Sequence, residues 1–260
     1  MKIEDCPIIE YYDDDMSNLF MFFSNGKKEF WRFAKIKEMG IDSCVLFFPR
    51  DFKKLTRTYS KCKKIYEFKS ASSISPVYLY DNKVLIALCP LGGAASINLM
   101  EELMFVGIKK FIGVGSSGAI RKVDLEQYFV PDKAIRDEGS SYHYLKPSRY
   151  VETDESLRKN IIEVLKEHKE KYDTGVVWTT DAIYRETPGR IKARLADGAK
   201  AVEMETASLA AVAKAKNIKY ACLLYYSDFN DGKTWETRIY DKYELRQELV
   251  DLAVEALLKK

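Results

Sequence analysis

Two short stretches concentrate the residues able to do chemistry. Ala201-Val202-Glu203-Met204-Glu205-Thr206-Ala207 sets two carboxylates around a methionine at the opening of an Ala-rich segment. Further along, Leu224-Tyr225-Tyr226-Ser227-Asp228 ends an apolar run on a hydroxyl and a carboxylate. A strand that delivers an Asp from its carboxyl end into a crevice is where α/β enzymes place reactive groups. The acid-Met-acid triplet suits a sugar. One carboxylate, Glu205, can accept hydrogen bonds from both hydroxyls of a ribose 2′,3′-diol. Its charge would also stabilise the cationic ring that forms as the C1′–N bond breaks. Met204 can lie against the sugar face. Asp228 is a candidate general acid, because a purine leaves more readily once N7 is protonated and partial burial raises a carboxyl pKa. Ser227 can orient Asp228 or meet the base. Plainer roles exist for both: acids at a helix start suit the macrodipole, and an Asp at a strand end can begin the turn before Gly232.

Three further segments carry polar or aromatic density. Gly115-Ser116-Ser117-Gly118 follows an apolar strand, where small residues let backbone N–H groups approach an anion or a sugar and the hydroxyls add donors. A tight turn would use the same residues. Arg136-Asp137-Glu138-Gly139-Ser140-Ser141-Tyr142-His143-Tyr144 reads as a loop able to close over a substrate or to meet another subunit. In Asp181-Ala182-Ile183-Tyr184-Arg185-Glu186-Thr187, Tyr184 can stack on a base beside Ile183 and Arg185 can meet a carboxylate. Core packing of Ile183 and Tyr184 is the competing role.

The elements that must position these residues alternate. Apolar spacing predicts a helix over Glu29 to Met39 stopped by Gly40, then a short strand over Cys44 to Phe48. Val77 to Leu88 holds two extended pieces around Asp81-Asn82. Gly92-Gly93 precedes a helix that Ser96 can cap, with Ile97, Met100, Leu103 and Met104 as its inward stripe and Gly107 at its end. Phe111 to Val114 is a strand; Gln127 to Val130 and Lys133 to Arg136 are extended on either side of Pro131. Asp154 caps a helix carrying Leu157, Ile161, Val164 and Leu165, with His168 at its surface. Thr174 to Trp178 and Ile218 to Tyr226 are strands around an Ala-rich helix from Glu205 to Lys216. Asp241 to Leu258 is an amphipathic helix with Leu245, Leu249, Leu252, Ala253 and Leu257 inward. Alternating strands and helices without a linker predict one domain over residues 1–260, a three-layer α/β/α sandwich with a central mixed sheet.

Composition narrows the function classes. The chain has 260 residues, 47% of them hydrophobic, which suits one globular domain. A net charge of +3 with dispersed lysines gives no basis for nucleic-acid binding. Five cysteines without a CxxC pair, and only two histidines, His143 and His168, argue against a disulfide framework, a zinc site or a His-ligated catalytic metal. No apolar run has the ~18 residues of a membrane span, and the acidic start Met1-Lys2-Ile3-Glu4-Asp5 is unlike a signal peptide. A cytoplasmic enzyme needing neither metal nor cofactor is the expectation.

The order of these motifs over roughly residues 42 to 258 resembles the nucleoside phosphorylase and nucleosidase superfamily, of the uridine and purine nucleoside phosphorylase type. Residues 1–41 are the least similar. Gly92-Gly93 before a helix, Gly113-Val114-Gly115-Ser116-Ser117-Gly118-Ala119, Val202 to Ala207 and Ser227-Asp228 each match a motif of that family. The resemblance implies a nucleoside substrate, with Met204, Glu205 and Ser117 at the ribose and Ile183, Tyr184, Ser227 and Asp228 at the base. It also implies assembly as a homodimer or as a hexamer of dimers. Ser227-Asp228 matches the purine branch, whereas the Arg136 loop looks like the uridine branch. The phosphate arginines depart from the family pattern. Gly113 stands where an Arg is expected. Arg50-Asp51-Phe52-Lys53-Lys54 replaces a Gly-Asp-Pro-x-Arg turn. No Arg falls near Ser70, nor a His near Ile8. Phosphate, if it is the acceptor, would be held by Gly93, Ser116, Arg50, Lys54 or Arg136. Three functions follow: phosphorolysis with a rebuilt phosphate site, hydrolysis with water as acceptor, or nucleoside binding without turnover.

Overall fold

The computed structural model describes residues 7–10, 36–48, 62–70, 73–124, 126–237 and 243–259. Its strands are β1 (Ser43–Phe47), β2 (Cys62–Lys69), β3 (Ile74–Tyr80), β4 (Val84–Leu88), β5 (Lys110–Ala119) and β6 (Tyr128–Asp137). They continue as β7 (Tyr150–Glu152), β8 (Tyr172–Thr180), β9 (Ala199–Glu203), β10 (Lys219–Asn230) and β11 (Trp235–Thr237). The helices are α1 (Pro7–Glu10), α2 (Gly93–Phe105), α3 (Glu155–Glu167), α4 (Pro188–Ala196), α5 (Thr206–Ala215) and α6 (Tyr243–Leu258). The expected helix over Glu29 to Met39 lies outside the described residues except for its last turn, after which Gly40 takes φ 65°.

All described strands join one mixed sheet in the order β11-β10-β6-β8-β9-β5-β1-β4-β3-β2, with β7 on β6. β1 explains why a sandwich forms. Each of its five residues is buried, which requires cover on both faces. Cys44 and Leu46 share a core with Ile97, Met100 and Leu103 of α2 and Leu209 and Val212 of α5. Val45 and Phe47 share the opposite core with Leu157 and Ile161 of α3 and Leu249 and Leu252 of α6. The alternation of side chains along β1 thus feeds two helical layers, and each buried aliphatic side chain contributes roughly 1.5–3 kcal/mol. Among the described residues, no helix is long and apolar enough to cross a membrane.

Half of the sheet closes on itself. β5 pairs parallel with β10, β10 antiparallel with β6, β6 parallel with β8, β8 parallel with β9, and β9 antiparallel with the end of β5. The closing contact is short, Gly118 to Val202 and Ala119 to Ala201. It brings the ends of β9 and β10 to one strand, β5.

Local chemistry accounts for the element ends. Asp81 and Asn82 adopt φ 47° and 56°, the left-handed centre of a turn closed by the Lys83 N–H to the Tyr80 carbonyl at 2.9 Å, which joins β3 to β4. Asp154 caps α3 by accepting from the Leu157 N–H at 2.9 Å. α2 begins four residues earlier than a Ser96 cap would place it. Gly92 holds the N-cap position without a side-chain bond, and the Ser96 hydroxyl instead donates back to the Pro90 carbonyl at 2.7 Å. β6 runs unbroken through Pro131 because a register shift between Pro131 and Lys133 absorbs the missing donor.

Candidate active site

The Gly-Ser-Ser-Gly segment is not a turn. It is the second half of β5, with Gly115, Ser116, Ser117 and Gly118 paired to Leu224, Tyr225, Tyr226 and Asp228 of β10. Crowding favours small residues here. A Cβ on Gly115 would meet Phe48 at 3.2 Å, and one on Gly118 would meet Val202 at 3.3 Å and the Asp228 carboxylate at 3.4 Å. Asp228 and the end of β9 therefore converge over Gly118. Ser116 is exposed, whereas Ser117 is 2% exposed and its hydroxyl donates to the Tyr225 carbonyl at 3.4 Å. The Ser117 hydroxyl thus engages the sheet itself, and Ser116 is the hydroxyl open to a ligand.

The two acids of the triplet differ sharply. Glu203 ends β9 and accepts three hydrogen bonds, from the Thr179 hydroxyl and from the backbone N–H groups of Glu205 and Thr206, both at 2.8 Å. It thereby caps the start of α5. Burial pushes the Glu203 carboxyl upward, opposed by those donors. Glu205 stands at the N-cap position of α5 and is 7% exposed. The Gly92 N–H donates to its carboxylate at 2.6 Å, and a backbone hydrogen bond from Met204 joins it. Burial first, then the neighbouring Glu203 charge, pushes its pKa up to about 8. Met204 between them is half-buried.

Gly92 belongs to the loop that opens α2, so the Glu205 contact also brings Gly93 to the site. Gly93 packs so closely on α5 that an added Cβ would fall 2.2 Å from the Ser208 hydroxyl. That hydroxyl donates to Glu138 at 2.6 Å, and Glu138 also accepts from the Ser141 N–H at 2.9 Å. The Arg136 loop thus leans on the α2–α5 junction.

Arg136 itself is committed within that loop. Its guanidinium donates to the Ser141 and Ser148 hydroxyls and to the Leu145 and Lys146 carbonyls at 2.7–2.9 Å, and stacks on Tyr142 at 4.3 Å. Arg50 and Lys54 lie outside the described residues. Gly113 has a physical reason: a Cβ there would stand 2.7 Å from the hydroxyl of buried Tyr220, so a larger side chain requires that ring to shift.

At the other end, Asp228 is held from both sides. Ser227 donates to one oxygen at 2.6 Å and the Trp235 indole N–H to the other at 2.7 Å. Glu186, from the turn before α4, completes this corner. Burial and the Asp228 charge push its carboxyl up to about 7. Ile183 and Tyr184 are exposed, Tyr184 to 91%.

Thr179, Glu186 and Trp235 were not singled out from the sequence. The signal for Trp235 was there: Asn230-Asp231-Gly232 is a turn sequence, and a hairpin at that point folds Trp235 back beside Asn230. Neither α4 nor β9 announces itself by periodicity, because each is short and flanked by polar residues.

The family model described as the phosphorylase superfamily matches residues 44–259. A uridine phosphorylase of Thermococcus kodakarensis is 30% identical over 95 residues, covering 36% of this chain and 34% of that protein. A DeoD-type purine nucleoside phosphorylase of Hahella chejuensis is 27% identical over 155 residues, covering 57% and 65%. A guanosine phosphorylase of Halorubrum lacusprofundi is 25% identical over 132 residues, covering 50% and 53%. The chain thus spans between about a third and two thirds of the length of these curated relatives.

Proposed function

Because the chain belongs to the phosphorylase superfamily, we propose that it cleaves the N-glycosidic bond of a ribonucleoside, purine favoured over uridine, with phosphate as acceptor. The observation that carries this reading is Glu205. It is a buried carboxyl held by backbone groups of Gly92 and Met204 and by no side-chain partner among the described hydrogen bonds, beside a half-buried methionine and across β5 from Asp228. A ribose diol supplies the missing donors. Two hydroxyls bonding to Glu205 favour its charged form, and that charge then faces the ring as the C1′–N bond lengthens. Ser116, Gly93 and the Arg50–Lys54 segment would meet the acceptor. Asp228, Ser227, Ile183 and Tyr184 would surround the base.

A second reading, hydrolysis by water, has one specific observation in its favour. Tyr220 occupies the space that a phosphate-binding arginine at position 113 would need. Nucleoside binding without turnover is the third outcome of the same test. Base release is followed over a panel of ribonucleosides, with and without inorganic phosphate. Release that requires phosphate and yields ribose 1-phosphate supports phosphorolysis; equal release without phosphate makes the enzyme a nucleosidase. Tight binding without release reduces it to a binding module.

Exposed Leu91, Ile183, Tyr184 and Trp235 support a homodimer, or a hexamer of dimers, as the working assembly. Light scattering at micromolar concentration checks this, and a strictly monomeric species contradicts it.

A further inference from the structure

The base end holds a second carboxyl besides Asp228. We propose that Glu186 is a catalytic acid of this site, carrying the proton that the departing base receives, with Asp228 as its acceptor-only neighbour. This rests on the ribonucleoside-cleaving function above and deepens it.

Three pieces of geometry support the assignment. First, the two carboxyls are held in one corner. The turn at Gly232 packs against the start of α4 so tightly that an added Cβ would stand 2.8 Å from Pro188 Cα, and Gly232 takes φ +84°. Glu186 lies two residues before that proline, and Asp228 four before that glycine. Second, Asn230 joins them. Its amide N–H donates to Glu186 at 3.4 Å, and its carbonyl accepts from the Gly232 N–H at 2.9 Å, which fixes the amide orientation. Asn230 and Asp228 are two residues apart on β10. Third, the two carboxyls differ in what they are offered. Both Asp228 oxygens already accept short bonds, from Ser227 and from an indole that can only donate. A proton on that second oxygen would compete with the indole. Glu186 has one long donor and a half-buried position.

Charge favours the same division of labour. The charge on Asp228 and partial burial place the Glu186 carboxyl at about 7, where a proton is both present and transferable. The other charged groups nearby are engaged or outward. Arg190 pairs with Asp137 at 3.0 Å. Asp231 accepts from the backbone N–H groups of Lys233 and Thr234, and Arg185 and Lys233 are exposed.

In the reaction the C1′–N bond breaks and its electron pair passes to the base. The Glu186 proton moves to a ring nitrogen of the base, while an oxygen of the acceptor bonds to C1′ and the acceptor releases its own proton to solvent. Glu186 is left as a carboxylate and regains a proton from solvent at its half-exposed position. Asp228 does not change its proton count.

The test compares Glu186→Gln with Asp228→Asn in the full chain. kcat/KM is measured across pH 5–9 on a purine ribonucleoside and on its 7-methyl derivative, whose base is already cationic. Glu186→Gln is expected to lower kcat/KM on the ordinary nucleoside by at least ~100-fold and to leave the 7-methyl substrate nearly unchanged. It should also abolish the fall in rate as pH rises past the Glu186 titration. Asp228→Asn should move that fall to lower pH, because the charge that raises Glu186 is gone. If Glu186→Gln keeps the wild-type rate and pH limb, the proposal is wrong and Asp228 is the acid. Loss on both substrates alike also overturns it, since that marks disturbed binding rather than a missing proton. Absence of base release by the wild type from every nucleoside would instead sink the underlying function, and the proposal with it.

Discussion

Glu203 and Glu205 lie 8% and 7% exposed behind a closed ring of strands, whereas Asp228 is tethered to an indole that is itself 56% exposed. The proposed ribose end of the site is therefore built into the core, and the proposed base end onto a hairpin at its rim. Burial alone does not assign a role at the ribose end. Two carboxylates two residues apart and equally buried part company on partners: Glu203 is held by the Thr179 hydroxyl and the first N–H groups of α5, whereas Glu205 meets the backbone of Gly92 and Met204 and is the one proposed to meet a ligand. At the rim, Asp228 is placed by short bonds from Ser227 and Trp235, and Glu186 by a longer bond from Asn230 and the packing of Gly232 on Pro188. The contrast implies that at the buried end stability rests on Glu203 and function on Glu205, while changes at the rim cost rate with little stability.

The largest effect should come from Glu203→Ala. It strands the Thr179 hydroxyl and two backbone N–H groups in the interior, at roughly 1–3 kcal/mol for each orphaned group. A loss of about 3–5 kcal/mol is expected, which thermal unfolding would register as a fall of about 6–15 °C. A loss under ~1 kcal/mol would erase the distinction between the two acids.

Gly113→Ala comes next. Its added carbon meets the Tyr220 hydroxyl at 2.7 Å inside the core. Overpacking of this kind costs about 1–3 kcal/mol, and the double variant with Tyr220→Phe should recover part of it. No recovery would mean that Tyr220 is not what excludes a side chain there.

Glu205→Gln separates function from stability at one residue. The folded chain holds a proton on Glu205 up to about 8, above the model-peptide value of 4.5. Between those values the folded state binds more protons than the unfolded one, so this carboxyl erodes wild-type stability as pH rises from 5 to 8. Gln keeps the acceptor for the Gly92 N–H and does not ionise. The variant should therefore gain on the wild type across that interval, seen as a Tm difference that widens with pH. A constant difference would show that Glu205 does not titrate there.

Trp235→Phe should have the smallest effect on folding, within ~0.5 kcal/mol at so exposed a position. It should still lower kcat/KM about 10-fold, because Asp228 loses a charge-assisted bond. A stability loss larger than the rate loss would reverse the proposed contrast between the two ends.

The sequence revealed these ends unequally. The layers were legible because β1 and β4 are almost continuously apolar and the inward stripes of α2, α3 and α6 keep helical spacing. The triplet was legible as a pair of acids, but its division into cap and ligand group depends on Thr179, which sits on another strand 24 residues away. Gly-Ser-Ser-Gly suggested a turn because its glycines break local patterns. Only the tertiary crowding by Phe48 and Asp228 explains why glycines stand inside a strand. Arg136 suggested an anion site, and its donors proved to be taken by nearby residues, a competition that composition cannot report. Glu186 was hidden for the opposite reason: its partners come from β10, 42 and 44 residues away.

The central claim is that Glu205 holds a ribose diol during glycosidic cleavage. It is tested most directly by comparing wild type and Glu205→Ala on a ribonucleoside and on its 2′-deoxy counterpart. The account predicts a loss in kcat/KM of at least ~100-fold on the ribonucleoside and a clearly smaller loss on the deoxy substrate, which already lacks one of the two hydroxyls. Equal losses on both sugars, in a variant that is folded, would contradict it and leave Glu205 a structural residue.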